Sequence, residues 1–230
     1  MSDFGIIGIG RIGTSMARNM SSKGIIVSLF DKSHNSLDNL KNDYPELESS
    51  LVFNDINKFI SSISKPRKVL VLVPSGPALD EVISLLIQYL DSNDILIDGG
   101  NTNPNVSFEN HQTIKSKNLL YLGMGVSGGV KGVLEGPSIM IGGDTNAFDQ
   151  VKNIFSQITS KTINGSKSFE FFGDSNQGHF VKMIHNGIEY VEMQLISSIY
   201  YLMINSKKYM YEDVAKIFKK WNDIDLNSYL

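Results

Sequence analysis

Gly8-Ile9-Gly10-Arg11-Ile12-Gly13 constrains this chain more than any other segment. It overlaps the end of an apolar run, Phe4–Ile9, and opens a helical stretch, Arg11–Lys23, that Gly24 closes. A second apolar run, Ile25–Phe30, then ends at an acidic residue, Asp31. Strand, glycine-rich turn, helix and second strand, all within about 30 residues, make one folding unit, the βαβ crossover. Each glycine has its own task. Gly8 permits the tight turn, Gly10 lets the backbone approach a pyrophosphate, and Gly13 allows close packing of helix on strand. The helix N-terminus offers free N–H groups and a partial positive charge to phosphates. A glycine-rich turn that binds nothing has the same letters; the flanking strand, helix and acid are what favour a dinucleotide.

Asp31 lies 18 positions after Gly13. A carboxylate at the end of the second strand accepts hydrogen bonds from the ribose hydroxyls of NAD and repels the 2′-phosphate of NADP. Lys32 and His34 stand beside it and can offset that repulsion, so NAD is favoured and NADP stays open. A cap or turn role for Asp31 is the alternative.

The rest of the first 175 positions repeats the alternation. Strands are expected at Leu51–Phe53, Lys68–Val73, Asp94–Asp98, Leu119–Gly123 and Ser138–Ile141. Helices are expected at Ser33–Tyr44, Asp55–Ser64, Pro77–Leu90, Pro104–Lys117 and Thr145–Ser160. This is the pattern of an α/β domain, a Rossmann-type, mostly parallel sheet covered by helices. Near Ser175 the pattern changes. Gln177 to about Ser206 has no proline and no strand-like alternation, which predicts one helix of about 30 residues, long for a soluble domain. A second helix is expected over Tyr211–Trp221. The expected domains are thus 1–175, dinucleotide-binding, and 176–230, the start of an all-α substrate and dimerisation domain.

Composition narrows the function classes. A formal charge of −3 over 230 residues points neither to nucleic acid nor to an anionic membrane surface. With no cysteine, disulfides, thiolate metal sites and cysteine nucleophiles are excluded, and no metal site is expected. The start lacks a basic n-region, and no apolar run approaches the roughly 20 residues of a membrane span, so a cytoplasmic protein is expected.

Two further segments carry polar groups. Gly123-Met124-Gly125-Val126-Ser127-Gly128-Gly129 follows a strand candidate and reads as a loop whose N–H groups can form an anion-binding concavity. Asp98-Gly99-Gly100-Asn101 also ends a strand, at the sheet edge where α/β domains bind ligands; ordinary turn chemistry explains either segment alone. In the long helix, Lys182, His185, Asn186 and Glu189 fall at i, i+3, i+4 and i+7, one stripe about 10 Å long. Such a stripe either faces water or lines a polar site. Gly178 and Gly187 favour the second, because glycine in a helix costs about 1 kcal/mol against alanine and suggests a need for close approach.

Together these residues resemble the 6-phosphogluconate dehydrogenase family, within the wider β-hydroxyacid dehydrogenase group. Asp98-Gly99-Gly100-Asn101 is similar to its I-D-G-G-N segment. Gly125 to Gly129, with Gly136-Pro137-Ser138 and Met140, resembles G-V-S-G-G…G-P-S-x-M. Gly178-His179-Phe180-Val181-Lys182-Met183-Ile184-His185-Asn186-Gly187-Ile188-Glu189-Tyr190 resembles the catalytic helix almost without gaps, and Trp221-Asn222 with Ser228-Tyr229-Leu230 resembles a later helical segment.

The resemblance implies an oxidative decarboxylation of 6-phosphogluconate to ribulose 5-phosphate and CO2. Lys182 is implied as the general base and Glu189 as the acid that protonates C1. Substrate contacts are implied for Asn101, Ser127, Gly128, Gly129, His185, Asn186 and Tyr190. The expected cofactor-binding set is Gly8, Gly10, Arg11, Ile12, Gly13, Asp31, Lys32, Ser33, Val73 and Asn101, for NAD or NADP. Asp31-Lys32-Ser33 stands where the family usually has Asn-Arg-Thr for the 2′-phosphate, Val130-Lys131 where it has an acidic pair, and Thr102-Asn103-Pro104 where it has Ser-x-Tyr. Family members are far longer, so most of their helical domain, including the basic residues for the substrate phosphate, is missing from this sequence. A homodimer is implied if that domain is completed. Another β-hydroxyacid dehydrogenase and a non-catalytic, cofactor-binding remnant are the alternatives.

Overall fold

The computed structural model describes residues 1–33, 37, 40–162, 164–206, 208–224 and 226. His34 and Ser228-Tyr229-Leu230 therefore lie outside the described residues, as does part of the Ser33–Tyr44 segment. The chain divides into two compact units, Met1–Met183 and Ile184–Leu230.

In the first unit the described strands are β1 (Phe4–Ile7), β2 (Val27–Phe30), β3 (Leu51–Phe53), β4 (Lys68–Val71), β5 (Ile95–Asp98), β6 (Leu120–Ser127), β7 (Ser138–Gly143) and β8 (Phe169–Phe171). They form one sheet in the order β3-β2-β1-β4-β5-β6-β7-β8. Every neighbouring pair is parallel except β6 with β7. The described helices are α1 (Arg11–Ser22), α2 (Leu40–Asp43), α3 (Ile56–Ser61), α4 (Pro77–Leu86), α5 (Pro104–Lys115), α6 (Gly129–Glu135) and α7 (Thr145–Ile158). Next come α8 (Gln177–Asn205), which begins in the first unit and ends in the second, and α9 (Tyr211–Asp223). The Rossmann-type architecture and the long helix are as the alternation predicts.

Helices cover both faces. On one face Met16, Ala17 and Met20 of α1 pack with Val133 of α6 and Val151 and Phe155 of α7. On the other, Phe59 of α3, Val82 and Leu86 of α4 and Ile114 of α5 form the core. The strands supply both by their period of two: in β5, Ile95 and Ile97 enter the first core and Leu96 the second. Strands buried on both sides read as continuous apolar runs, which is why β1, β4 and β5 are legible in the sequence. Local chemistry sets several helix starts. Asp55 accepts from the Lys58 N–H at 3.0 Å ahead of α3, and Asn103 accepts from the Asn105 N–H at 2.9 Å ahead of α5.

One expectation needs correction, and two elements went unread. The segment Gly123–Ser127 is not a loop. It is the second half of β6, paired antiparallel with β7 from Leu122–Gly143 to Ser127–Ser138, so most of its N–H groups belong to the sheet rather than to an anion concavity. Gly129 opens α6, which the sequence reading missed because Gly-Val-Lys-Gly has little helix propensity. Strand β8 was missed as well: three residues are too few to show a period, and it forms by pairing with β7.

The second unit is mostly helix. Among its described residues Val214 is buried, while Ile188, Val191, Leu195 and Leu202 of α8 are exposed.

Candidate functional site

The order β3-β2-β1-β4 reverses direction between β1 and β4, which opens a crevice at the carboxyl ends of these strands. Gly8 follows β1 with φ +92°, a conformation that L side chains rarely adopt. A Cβ on Gly13 would overlap the Gly8 carbonyl oxygen, whereas one on Gly10 would meet nothing within 4 Å. Gly13 therefore serves packing and Gly10 leaves the turn open. Arg11, Ile12 and Gly13 form the first turn of α1, which has no side-chain cap and no acidic residue to compete for its N–H groups.

Asp31 follows β2. Its carboxylate accepts from the Ile9 N–H at 2.8 Å and from the Ser33 N–H at 2.8 Å. It thus ties the glycine-rich turn to the end of β2, and an ionised carboxylate keeps acceptor sites beyond those two. Lys32 pairs with Glu81 of α4 at 2.5 Å. Asp31, Lys32 and Val73 line a cleft of about 160 Å³ together with Phe30, Pro74 and Val82. An apolar slot with a carboxylate at its rim, next to an uncapped helix N-terminus, suits the flat base, ribose and phosphates of a dinucleotide.

Asn101 is exposed just beyond β5, after Gly99 and Gly100. Ser127 is the last residue of β6, and Gly128 (φ +130°) and Gly129 (φ +59°) turn the chain into α6. This turn is what is left of the predicted anion loop.

Glycines seat the first turns of α8. On β6, Tyr121, Gly123 and Gly125 point to one face by the period of two. A Cβ on Gly125 would overlap the Cβ of Lys182, and one on Gly123 would lie 2.9 Å from Nδ1 of His179. A Cβ on Gly142 of β7 would meet the Gly178 nitrogen at 2.6 Å, and one on Gly178 would meet the Met140 oxygen at 2.7 Å. Four glycines thus let the helix lie directly on the sheet, and Lys182 is buried as a result. Gly178 has the close approach expected of it. Gly187 does not, since a Cβ there would meet nothing within 4 Å.

In the second unit, His185 Nδ1 stands 3.6 Å from a Glu189 oxygen, one helical turn away. Asn186 is half-buried and Tyr190 is exposed. All four belong to α8, the helix that carries Lys182.

Sequence reasoning missed a buried polar cluster beneath this seat. His179 Nδ1 lies 2.8 Å from Ser107 Oγ, Ser107 Oγ lies 3.0 Å from the Tyr121 hydroxyl, and that hydroxyl lies 3.4 Å from Asp98 Oδ2. Burial holds His179 below the usual histidine range, with the Asp98 carboxylate opposing. Burial, then the Asp98 charge, pushes the Tyr121 phenol well above its usual value. A second histidine, His111 of α5, donates from Nε2 to Asp144 Oδ2 at 3.2 Å and shares a hydrogen bond with Ser175 Oγ at 2.8 Å. Burial raises the Asp144 carboxyl, but the bonds from His111 and the Tyr121 N–H outweigh it and leave the carboxyl low. No local pattern marked these residues: His111, for one, stands between Asn110 and Gln112.

Residues 3–166 match the family model for the NAD binding domain of 6-phosphogluconate dehydrogenase, and residues 178–230 match its C-terminal domain. The decarboxylating 6-phosphogluconate dehydrogenase of Staphylococcus epidermidis is 38% identical over 226 residues, 98% of this chain and 48% of that protein. The Staphylococcus aureus N315 enzyme is 39% identical over 232 residues, with the same two coverages. Plasmodium falciparum 6-phosphogluconate dehydrogenase, solved apo, with its cofactor NADP+ and with its substrate 6-phosphogluconate, superposes with a TM-score of 0.91 at 36% identity, over 99% of this chain and 49% of that one. Mycobacterium tuberculosis 3-hydroxyisobutyrate dehydrogenase shares the fold, at a TM-score of 0.77 and 18% identity. The chain spans about half the length of the curated relatives it matches. No described helix is long and apolar enough to cross a membrane. With the two family models matched in succession along it, the chain belongs to the 6-phosphogluconate dehydrogenase family of oxidoreductases.

Proposed function

We propose that this protein binds a nicotinamide dinucleotide, NAD in preference to NADP, in the β1–β4 crevice and acts in the oxidative decarboxylation of 6-phosphogluconate to ribulose 5-phosphate and CO2. Lys182 carries the proposal: it is buried, and its Cβ lies directly on Gly125 of β6, in a helix that resembles the family's catalytic helix. The dinucleotide, when bound, supplies the hydride acceptor for C3 of the substrate.

Lys182 enters as the free amine and takes the proton of the 3-hydroxyl as the hydride departs. Burial removes the water that stabilises an ammonium group, which suits this role. The 3-keto acid then loses CO2, its electron pair passes into the enolate, and Lys182 returns a proton to that oxygen. Glu189, seven residues on along α8, protonates C1 of the enediol. Asn101, Ser127, Gly128, Gly129, His185, Asn186 and Tyr190 hold the carboxylate, hydroxyls and phosphate. Asp31 selects NAD through the ribose hydroxyls. In this proposal residues 1–175 are the dinucleotide-binding domain, 176–230 begin the substrate and dimerisation domain, and the protein works in the cytoplasm as a homodimer whose helical domain is completed.

The test follows reduced-nicotinamide absorbance with 6-phosphogluconate and either NAD or NADP. Reduction faster with NAD is expected, and Lys182→Met abolishes it while dinucleotide binding by calorimetry is unchanged. Dinucleotide binding without turnover on 6-phosphogluconate or any other hydroxyacid refutes the catalytic part. Persisting activity in Lys182→Met refutes the assigned base.

A further inference from the structure

We propose that His179 is a positioning residue for Lys182, anchoring the first turn of α8 to the sheet through Ser107 and Tyr121 so that the amine one turn later is held at one place. The inference rests on the reading of Lys182 as the base and assigns His179 no contact with substrate.

The geometry leaves His179 no other work. The side chain is 2% exposed, so it reaches neither solvent nor a ligand in the crevice. Its Nδ1 bonds Ser107 of α5 at 2.8 Å, and Ser107 bonds Tyr121 of β6 at 3.0 Å. Its Nε2 faces Asp98 Oδ2 of β5 at 3.9 Å, and the ring also meets the backbone of Asp98 and Gly100. One α5 residue and two neighbouring strands therefore meet at one ring of α8. The Tyr121 hydroxyl donates its one proton to Asp98 Oδ2, and Ser107 Oγ links that hydroxyl to His179 Nδ1. His179 precedes Lys182 by three residues, and the two lie over Gly123 and Gly125 of the same strand. Glycine permits the close approach but does not hold the helix there, since a smooth backbone surface allows sliding. The His179 bond supplies the lateral restraint.

Wild-type protein and the variants H179F, H179N and S107A are pulsed with an amine-acylating reagent. Acylation of Lys182 is followed by peptide mass spectrometry, with exposed Lys117 and Lys152 as internal references. H179F keeps the ring volume without the bond, H179N keeps a polar group near the Nδ1 position, and S107A removes the bond from α5 without altering α8. Acylation of Lys182 is expected to rise about fivefold in H179F and S107A, the change in local opening that the loss of one buried hydrogen bond produces. H179N returns it to near the wild-type rate, and the reference lysines do not change. Should H179F fail to fold, S107A decides. The proposal is overturned if Lys182 stays as protected as in wild type, if all lysines accelerate together, or if H179N behaves as H179F does. In turnover, H179F lowers kcat with little change in the dinucleotide KM. Acylation needs no turnover, so a wild-type protein that fails to reduce the cofactor refutes the proposed reaction while this test still reads His179.

Discussion

Asp31 and His179 both hold backbone in place, but one was legible in the sequence and the other was not. Asp31 sits at a fixed distance from a glycine motif, so spacing alone marks it. The structure adds that its carboxylate also accepts from Ile9 and Ser33 N–H groups. Asp31→Ala therefore costs turn rigidity as well as the proposed ribose contacts. NAD affinity by calorimetry is expected to fall about tenfold, with the preference over NADP narrowed. An unchanged NAD affinity would remove Asp31 from the site. His179 gave no signal of its own, because its partners come from positions 98, 107 and 121. Its neutral form also makes a pH prediction. In the folded protein it binds a proton less readily than the ordinary value of 6.5, so the unfolded state takes up the proton first as pH falls. Its contribution to stability is full above pH 6.5 and is lost as pH drops toward the depressed folded value. Urea unfolding at a series of pH values should show that slope shrink in H179F, and a slope that survives the substitution counts against a buried neutral ring.

At the scale of elements, α8 shows how one residue type carries opposite meanings. Gly178 and Gly187 both looked like points of close approach. Only Gly178 is one, because it lies where the helix touches β6 and β7, a fact that depends on where the strands run. Gly178→Ala should destabilise by about 1–3 kcal/mol in urea unfolding, since the backbone atoms it would meet cannot swing aside. Gly187→Ala should be neutral or stabilise by up to about 1 kcal/mol, through helix propensity. Equal effects at the two positions would contradict the glycine seat. Element β6 teaches the converse. Its glycines read as a loop because glycine favours turns, yet they form a strand, since an antiparallel partner and a helix needing bare backbone outweigh local propensity.

At the scale of the molecule, stability is unevenly spread. The sheet of the first unit has cores on both faces, while in the second unit Val214 is the buried residue among those described. Amide hydrogen exchange should be slowest in β1, β4 and β5 and markedly faster in α9. Protection in 211–223 equal to that of β5 would show that the second unit has a core of its own. Most of the alternation of strands and helices, the glycine-rich turn and the length of α8 were readable from the chain, because each depends on neighbours in sequence: apolar period, glycine spacing, absence of proline. Even the resemblance of the helix around Lys182 was local information. Packing alone could decide which glycines touch backbone, that β6 continues past Gly123, that β8 joins the sheet, and that Asp98, Ser107, Tyr121 and His179 converge beneath Lys182. Those are contacts between positions far apart in the chain, and no local pattern encodes which distant partner a residue meets.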